Sequence, residues 1–308
     1  MHDHAQPGAL PLRPLTTGEV LDAAITLLRT RLGLLLGLGF ALALAEQIVL
    51  FPLRRLADLD INYLPGTDLL GPFGVLVVAG MGTEAVCIGL LGGVAATQAP
   101  RALLGDTAPG RAVRFAPLAV AVTVVGTVCA AAGWAFLVLP VPLQVAGLIL
   151  AFLITVCLWA LAYGLLGLAA PAVVLDRLGP GAAVLRSLRL ASRNGMRTAL
   201  VRVLGYLVWL LVRLALTSAA LFALSLAYTS PSTTVDAIIL GATWLLVNAV
   251  AYPILGCLDT ALHLDIRMRV EGLDIALRRQ LKRGVSAEGA LAVPSRSQPP
   301  AVAGVHGR

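Results

Sequence analysis

The sequence predicts an all-α polytopic membrane protein with about six transmembrane helices and amphipathic helices at the cytoplasmic surface. Of its 308 residues, 58% are hydrophobic and only 13% are charged, whereas soluble domains carry about 25% charged residues. Six apolar segments are each long enough to cross a hydrocarbon core, which takes about 20 helical residues. Arginines cluster in alternate loops between these segments, as is typical of membrane proteins.

The first element is an amphipathic segment ahead of the first span. Residues 1–13 are polar and contain prolines, which predicts a disordered tail. Thr16 and Glu19 have the spacing of a capping box. Apolar residues then recur at helical spacing: Val20, Leu21, Ala24, Ile25 and Leu28. The pattern favours either a helix lying on the membrane surface or a helical lead-in to the first span.

The membrane domain is predicted over residues 14–264. Its six spans are predicted at 32–53, 72–97, 117–139, 143–170, 199–228 and 235–262. Prolines in "LPVPL" at 139–143 and in "TSPSTT" at 229–234 indicate turns between neighbouring spans. The domain therefore begins and ends on the same side of the membrane.

Arginine placement predicts the orientation. Arginines lie before span one, between spans two and three, between spans four and five, and after span six. The opposite loops hold only Arg54 and Arg55. Cytoplasmic loops carry the excess of basic residues in membrane proteins. We therefore expect a plasma membrane protein with both termini in the cytoplasm.

Segments 15–31, 103–114 and 180–197 each precede a pair of spans and carry arginines, which predicts interfacial helices. In the third segment, four apolar residues are expected to face lipid: Val184, Leu185, Leu188 and Leu190. Four basic residues there are expected to contact lipid phosphates: Arg186, Arg189, Arg193 and Arg197. Basic side chains near an anionic membrane surface contribute about 1 kcal/mol each.

The stretch 265–284 is predicted to form a cytoplasmic amphipathic helix. Its apolar stripe contains Ile266, Val270, Leu273, Leu277 and Leu281. Its basic residues are candidates for contacts with anionic headgroups or with a protein partner: Arg267, Arg278, Arg279 and Lys282. Gly272 is expected to allow a bend. Residues 285–308 are rich in Ala, Gly, Pro and Ser, which predicts a disordered tail.

Ionisable residues inside the spans are the candidate functional residues, because lipid does not solvate them. Glu84 lies near the middle of span two, among glycines that permit close helix packing: Gly80, Gly82, Gly89, Gly92 and Gly93. It could bind a proton, a cation or a substrate amine, or be a packing residue. Arg213 in span five is its candidate partner, either in a structural pair or in a transport role.

The remaining polar candidates lie in spans one and six. Glu46 falls toward the outer half of span one, so it is either functional or near the outer interface. Asp259 and His263 are four residues apart and thus share one face of a helix. Such a pair could relay protons, although it also falls where span six reaches the headgroups. Pro253 is expected to kink this span.

The sequence contains no recognisable catalytic, cofactor or metal motif. G-x-S-x-G, Walker A and H-E-x-x-H patterns are absent. Each of the four cysteines lies inside an apolar run, which favours a packing role. The basic excess is split between loops, so it indicates a lipid bilayer as the partner and no nucleic acid. We expect a non-enzymatic protein without a cofactor.

The C-terminal stretch "LDIRMRVEGLDIALR" resembles a signature found in a group of bacterial and archaeal multi-span membrane proteins. These are relatives of the membrane domain attached to some glycerophosphoryl diester phosphodiesterases. The matching residues are Asp265, Arg267, Arg269, Glu271, Gly272 and Asp274. "RPLTTGEVLDAAITLLR" and "AAPAVVLDRLGPGAAVLRSLRL" are also similar to segments of that group.

The sequence departs from that group because no aromatic residue follows the first helix between Thr26 and Arg31. The sequence also contains no recognisable phosphodiesterase domain. The resemblance therefore implies a membrane architecture and a role in the cell envelope, and it does not imply catalysis.

Three classes of function follow from these observations. The first is a non-enzymatic envelope, scaffold or lipid-organising role. The second is a small-solute or lipid transporter that uses Glu84, Arg213 and Asp259. The third is an enzyme acting on a lipid headgroup, for which the sequence offers only acidic residues near the interface.

Overall fold

The computed structural model describes residues 10–56, 72–105, 111–138, 145–193, 196–227 and 233–282. Every regular element in these ranges is an α-helix, and six helices are long and apolar enough to cross a membrane. The predicted all-α, six-span architecture is therefore confirmed. The helices are α1 (Thr17–Thr30), α2 (Leu32–Leu56), α3 (Pro72–Ala96), α4 (Ala99–Leu104), α5 (Phe115–Val138), α6 (Val145–Leu166), α7 (Ala169–Leu175), α8 (Pro180–Arg193), α9 (Arg197–Ala227), α10 (Thr233–Glu271) and α11 (Leu273–Lys282).

Helices α3 and α10 form the centre of the bundle. Helix α10 packs against α2, α3 and α9, and α3 also packs against α2 and α5. Helix α6 connects the two sides because it packs against both α5 and α9. The central helices approach closely where two glycines face each other. A Cβ added at Gly256 would lie 2.6 Å from the backbone nitrogen of Gly92.

Four of the five glycines predicted to allow close packing contact a neighbouring helix. An added Cβ at Gly82, Gly89, Gly92 or Gly93 would meet atoms of α5 or α10 within 4 Å. Gly80 differs, because nothing lies within 4 Å of its added Cβ. The glycine-rich stretch therefore lets α3 approach α5 and α10 on two faces.

Two short helices, α4 and α7, were not predicted. Each follows a spanning helix after a break of two residues, at Thr97–Gln98 and at Gly167–Leu168. All residues of α7 are buried, so its lack of polar residues reflects contact with protein. The predicted interfacial helix at 103–114 is wrong. Helix α4 ends at Leu104, Gly105 and residues 111–114 are not helical, and residues 106–110 lie outside the described ranges.

Helix α1 is a separate element with the predicted cap. Thr16 accepts a hydrogen bond from the Glu19 amide, and the Glu19 carboxylate accepts one from the Thr16 amide. The buried face contains Val20, Ala23, Ala24, Leu27 and Leu28, whereas Leu21 is 47% exposed. This face packs mainly against α10. Arg31 then interrupts the helical conformation before α2 begins.

Helix α8 buries part of the face that was predicted to contact lipid. Leu185 is 53% exposed, but Leu190 is buried at 3% exposure together with Ala183 and Ser187. The Ser187 hydroxyl donates to the Leu165 carbonyl at 2.6 Å and accepts from the Leu168 amide at 3.1 Å. The periodicity thus identified an apolar face, but that face packs on the break between α6 and α7.

The sixth span extends beyond its predicted end at residue 262. Helix α10 continues through Pro253 and on to Glu271, because the residues after 262 pack against protein and stay buried through Met268. Gly272 adopts φ +64° and separates α10 from α11, which confirms the predicted bend. The predicted cytoplasmic helix at 265–284 is therefore two elements. Leu273 and Leu277 of α11 are buried in the core.

The segment before α1 is packed from residue 10 onward, which differs from the predicted disordered tail 1–13. Leu10 is buried, and its amide donates to the Ala102 carbonyl at 2.9 Å. Arg278 of α11 donates to the Leu12 carbonyl at 2.6 Å. Residues 1–9 and the predicted tail 285–308 lie outside the described residues, as do the whole predicted turn at 139–143 and residues 229–232 of the predicted turn at 229–234.

Candidate functional site

Glu84 and Arg213 are in contact at the centre of the bundle, as an ion pair between α3 and α9. Arg213 Nη1 donates to Glu84 Oε1, and the Tyr206 hydroxyl donates to Glu84 Oε2 at 2.5 Å. The two charged residues are 6% and 0% exposed. The ring centres of Tyr206 and Trp244 lie 5.2 and 5.3 Å from the guanidinium carbon. The pair neutralises both charges away from water.

Glu46 lies beside this pair and not at the outer interface. Its Oε2 accepts hydrogen bonds from the Tyr252 hydroxyl at 2.6 Å and from Asn248 Nδ2 at 3.2 Å. Its Oε1 accepts from the Thr83 hydroxyl at 2.9 Å. The carboxylate is buried because α2 presents it to α3 and α10. We call Glu46, Glu84, Arg213, Asn248 and Tyr252 the central cluster.

Several polar atoms around the central cluster lack hydrogen-bond partners among the described residues. They are Arg213 Nε, Arg213 Nη2, Asn248 Oδ1, Gln47 Oε1 and Thr217 Oγ1. Buried polar groups in proteins almost always have a partner, which is protein, ordered water or a ligand. These atoms belong to α2, α9 and α10, and together we call them the polar side of the central cluster.

Asp259 is separate from the central cluster and forms its own buried pair with Arg202. Arg202 Nε and Nη2 donate to the two carboxylate oxygens at 2.5 and 3.0 Å. The guanidinium also donates to the Tyr163 carbonyl, and its carbon lies 3.5 Å from the Tyr163 ring centre. The predicted trio of Glu84, Arg213 and Asp259 is therefore divided between two sites.

Arg202 is a site residue that the sequence analysis missed. Its signal was present, because an arginine within an apolar span needs an intramembrane partner. Arg202 and Arg213 are eleven residues apart on α9, which is three helical turns, so they share a face. Each of them meets an acid of a different neighbouring helix.

A groove adjoins the central cluster on the side of α2, α3 and α5. Its volume is about 390 Å³, and most of its lining is apolar, including Leu42, Val49 and Val86. Glu46 and Thr83 also line it. Ala45 and Val49 of α2 are exposed, and so are Thr123 and Thr127 of α5. The groove therefore has an exposed mouth and a polar group from Glu46 inside.

The arginine-rich end of the bundle holds a second set of ion pairs, around Asp176. Arg267 Nη1 lies 2.8 Å from Asp176 Oδ1, His263 Nε2 lies 3.3 Å from Oδ2, and Arg186 also contacts this carboxylate. Burial alone would raise the pKa of Asp176, but His263, Arg267 and Arg186 outweigh it and lower that pKa to about 2. Asp176 thus remains a carboxylate at neutral pH.

These contacts correct three predicted roles. Arg267 is 3% exposed and binds Asp176 and Glu271, so it does not reach headgroups. Arg186 joins the same two acids, with its Nη2 2.8 Å from Glu271 Oε2. His263 is directed toward Asp176 and not into a relay with Asp259, which is occupied by Arg202.

Asp265 fixes the start of the chain to the end of α10. It accepts a hydrogen bond from the Leu15 amide at 2.7 Å and lies 2.8 Å from Arg197 and 3.0 Å from Arg269. Both arginines also donate to the Leu15 carbonyl. Arg197, which was predicted to contact headgroups, is therefore held by protein.

The other predicted headgroup residues remain accessible. Arg189, Arg193 and Arg279 are exposed, and Arg278 is exposed despite its bond to Leu12. Lys282 is the last residue of α11, and its side chain lies outside the described part of the chain. Across the described ranges, no three His, Cys, Asp or Glu side chains converge as a metal site would require.

Comparisons of the chain with protein-family models, with curated proteins and with solved structures find no match. The resemblance to the phosphodiesterase-associated membrane domain therefore stays a prediction.

Proposed function

We propose that the protein is a non-enzymatic, multi-pass membrane protein that organises lipids by binding an acyl chain in the groove between α2, α3 and α5. The groove is the observation that carries this proposal. Its volume of about 390 Å³ lies in the range of ligand sites, and its lining is mostly apolar. Its mouth is exposed on a bundle that spans a membrane, where lipid chains are the surrounding solvent.

The proposed orientation places both termini in the cytoplasm of a plasma membrane. The distribution of arginines supports it, because the end that holds α1, α8 and α11 carries most of them. Arg189, Arg193 and Arg279 are the exposed residues proposed to contact anionic headgroups. The exposed basic face of α11 is the proposed surface for a protein partner.

Filling the groove tests the proposed lipid binding. Ala45 is exposed and lines the groove, so Ala45→Phe adds a ring inside it without replacing a buried side chain. Ala215→Phe, on an exposed position of α9, is the matched control. The lipid retained after detergent purification is measured by mass spectrometry. We expect Ala45→Phe to lose most retained lipid and the control to keep it.

Equal lipid retention by the wild type and both variants would contradict the proposal. The thermal unfolding midpoint of each variant is the accompanying control. A variant that unfolds at the wild-type temperature and lacks lipid has lost the site and not the fold.

Transport of a small polar solute is a second candidate function, and the unpartnered polar atoms favour it. Among the described residues, Arg213 Nε and Nη2 have no acceptor, and Thr217 Oγ1 and Asn248 Oδ1 have no partner. The ring centre of Trp244 lies 5.8 Å from the guanidinium carbon of Arg54 and 5.3 Å from that of Arg213. Ordered water or a solute on this side would satisfy these groups. Asp259 is not among these groups, because it is paired with Arg202.

Cysteine accessibility tests the second candidate. Thr217→Cys is treated with a small charged thiol reagent, and Leu221→Cys, one turn further along α9, is the control. Mass spectrometry distinguishes the introduced thiol from the native cysteines. A hydrated path predicts modification at position 217 and none at 221. Protection of both positions, or equal labelling of both, would rule the path out.

A further inference from the structure

We infer that the groove is selective for lipids whose small polar group donates a hydrogen bond, such as a long-chain alcohol, and that Glu46 is the acceptor. This inference rests on the proposed lipid binding and adds the chemical class of the lipid. Glu46 is 4% exposed, lines the groove and is the only acid among its described lining residues. Its two carboxylate oxygens have different hydrogen-bond partners.

One carboxylate oxygen is fixed by the protein. Tyr252 and Asn248 both donate to Oε2, at 2.6 and 3.2 Å. Asn248 also donates to the Tyr252 hydroxyl at 2.7 Å. These bonds hold the plane of the carboxylate and commit Oε2 to α10. Oε1 is the oxygen left for the groove side.

The second oxygen, Oε1, accepts from Thr83, whose hydroxyl also lies within reach of two backbone carbonyls. Thr83 lies 2.9 Å from Glu46 Oε1, 3.0 Å from the Ala79 carbonyl and 3.2 Å from the Gly80 carbonyl. A threonine hydroxyl has a single proton, so it satisfies one strong acceptor at a time. Whenever Thr83 bonds to its own helix, Glu46 Oε1 has no other hydrogen-bond donor among the residues that the structure describes. A carboxylate oxygen in this position favours a ligand that brings a donor.

The depth of Glu46 restricts the size and charge of that donor. Glu46 is ten residues from Leu56 and fourteen from Leu32, which is at least about 15 Å along the axis from either end of α2. A phosphate or another large charged headgroup at this depth is strongly disfavoured. A hydroxyl on an apolar chain fits, because its only polar requirement is the bond to Oε1.

Glu46→Gln should abolish the selectivity, because a hydroxyl accepts a hydrogen bond as readily as an ether does. Tyr252 and Asn248 would keep the amide oxygen in the place of Oε2, since both are donors. The amide nitrogen would then occupy the place of Oε1 and donate toward Thr83 and the groove. The site would change from an acceptor to a donor while keeping its shape.

The experiment compares retention of hexadecanol with that of its methyl ether, which does not donate, by the purified full-length protein. The wild type should retain the alcohol about tenfold better, which is the upper part of the range for one buried hydrogen bond. Glu46→Gln should lose this preference, because its amide nitrogen can donate to the oxygen of either probe. Thr83→Val, which removes the competing donor, should keep or increase the preference for the alcohol and covers the case in which Glu46→Gln does not fold.

The outcomes separate the two proposals. Equal retention of both probes by the wild type, or an unchanged preference in folded Glu46→Gln, would overturn the selectivity while leaving lipid binding intact. Loss of the alcohol preference in Thr83→Val would also overturn it. Binding of neither probe by the wild type, with no effect of Ala45→Phe on native lipid, would overturn the proposed function itself.

Discussion

At the residue scale, two pairs of opposite charges inside the bundle join different helices. Glu84 of α3 meets Arg213 of α9, and Asp259 of α10 meets Arg202 of α9. An unpaired charge in hydrocarbon is costly, so each pair disfavours arrangements in which its helices separate. The two arginines on one face of α9 therefore help to set its position relative to α3 and α10.

Breaking the Arg202–Asp259 pair should destabilise the fold strongly. Asp259→Asn leaves a buried guanidinium without its counter-charge, which in other proteins costs about 3–5 kcal/mol. The double variant Arg202→Met with Asp259→Leu should recover much of that loss, because it removes both charges. Thermal unfolding in one detergent measures both effects. A double variant no more stable than Asp259→Asn would contradict this account.

The Asp176 carboxylate should make stability fall in acid. Its pKa is lowered from an ordinary 3.8 to about 2 in the folded protein. Its contribution is therefore fully present above about pH 4 and is lost as the pH falls toward about 2. The difference in unfolding midpoint between the wild type and Asp176→Asn should shrink over that window. A difference that stays constant down to pH 2 would exclude Asp176 as the cause.

The sequence identified some of these residues but not all of their partners. It indicated Glu84 as the candidate partner of Arg213, either in a structural pair or in a transport role. It did not identify Arg202 as the partner of Asp259, because spacing along one helix does not determine contacts between helices. Asn248 was visible as a polar residue in an apolar span, whereas Tyr252 resembled any other aromatic packing residue until its hydroxyl was placed against Glu46.

At the element scale, helix faces were predictable and their partners were not. The apolar periodicities of α1, α8 and α11 are real, yet much of each face packs on protein. Lipid and protein interiors are both apolar, so a hydrophobic stripe does not distinguish them. The same ambiguity hid α4 and α7, whose buried residues are as apolar as a span.

Close packing of α3 on α10 should make the central glycines intolerant of a methyl group. In Gly256→Ala the added Cβ would lie 2.6 Å from Gly92 N, which forces the central helices apart. Overpacking of this kind typically costs about 1–3 kcal/mol. Gly80→Ala is the control, because its Cβ meets nothing within 4 Å. Comparable unfolding midpoints for the two variants would contradict the close approach.

At the scale of the whole molecule, composition and length were sufficient to predict six spans, and the spanning helices lie close to the predicted segments. The largest error was at the end of span six, where burial against α1, α7 and α8 allows the helix to continue through charged residues. Local hydropathy does not predict the end of a helix when that end depends on tertiary contacts.

The proposed orientation has a direct test. A green fluorescent protein fused after residue 308 should fluoresce, because the C-terminus is expected in the cytoplasm. A periplasmic phosphatase fused at the same position should be inactive. Replacing Arg54 and Arg55 by Ser should leave both results unchanged, since these are the few arginines on the opposite side. An active phosphatase fusion would invert the topology.

The contact between Leu15 and Asp265 constrains the order in which the protein assembles. These residues are 250 positions apart. Arg197 and Arg269 also donate hydrogen bonds to the Leu15 carbonyl. A ribosome releases the first of them long before it synthesises the last, and contacts between distant positions form late. Helix α1 therefore lacks α10, the helix against which it mainly packs, while the first five spans insert. Chains that stop short of α10 would leave that apolar face uncovered, which exposes incomplete products to quality-control proteases.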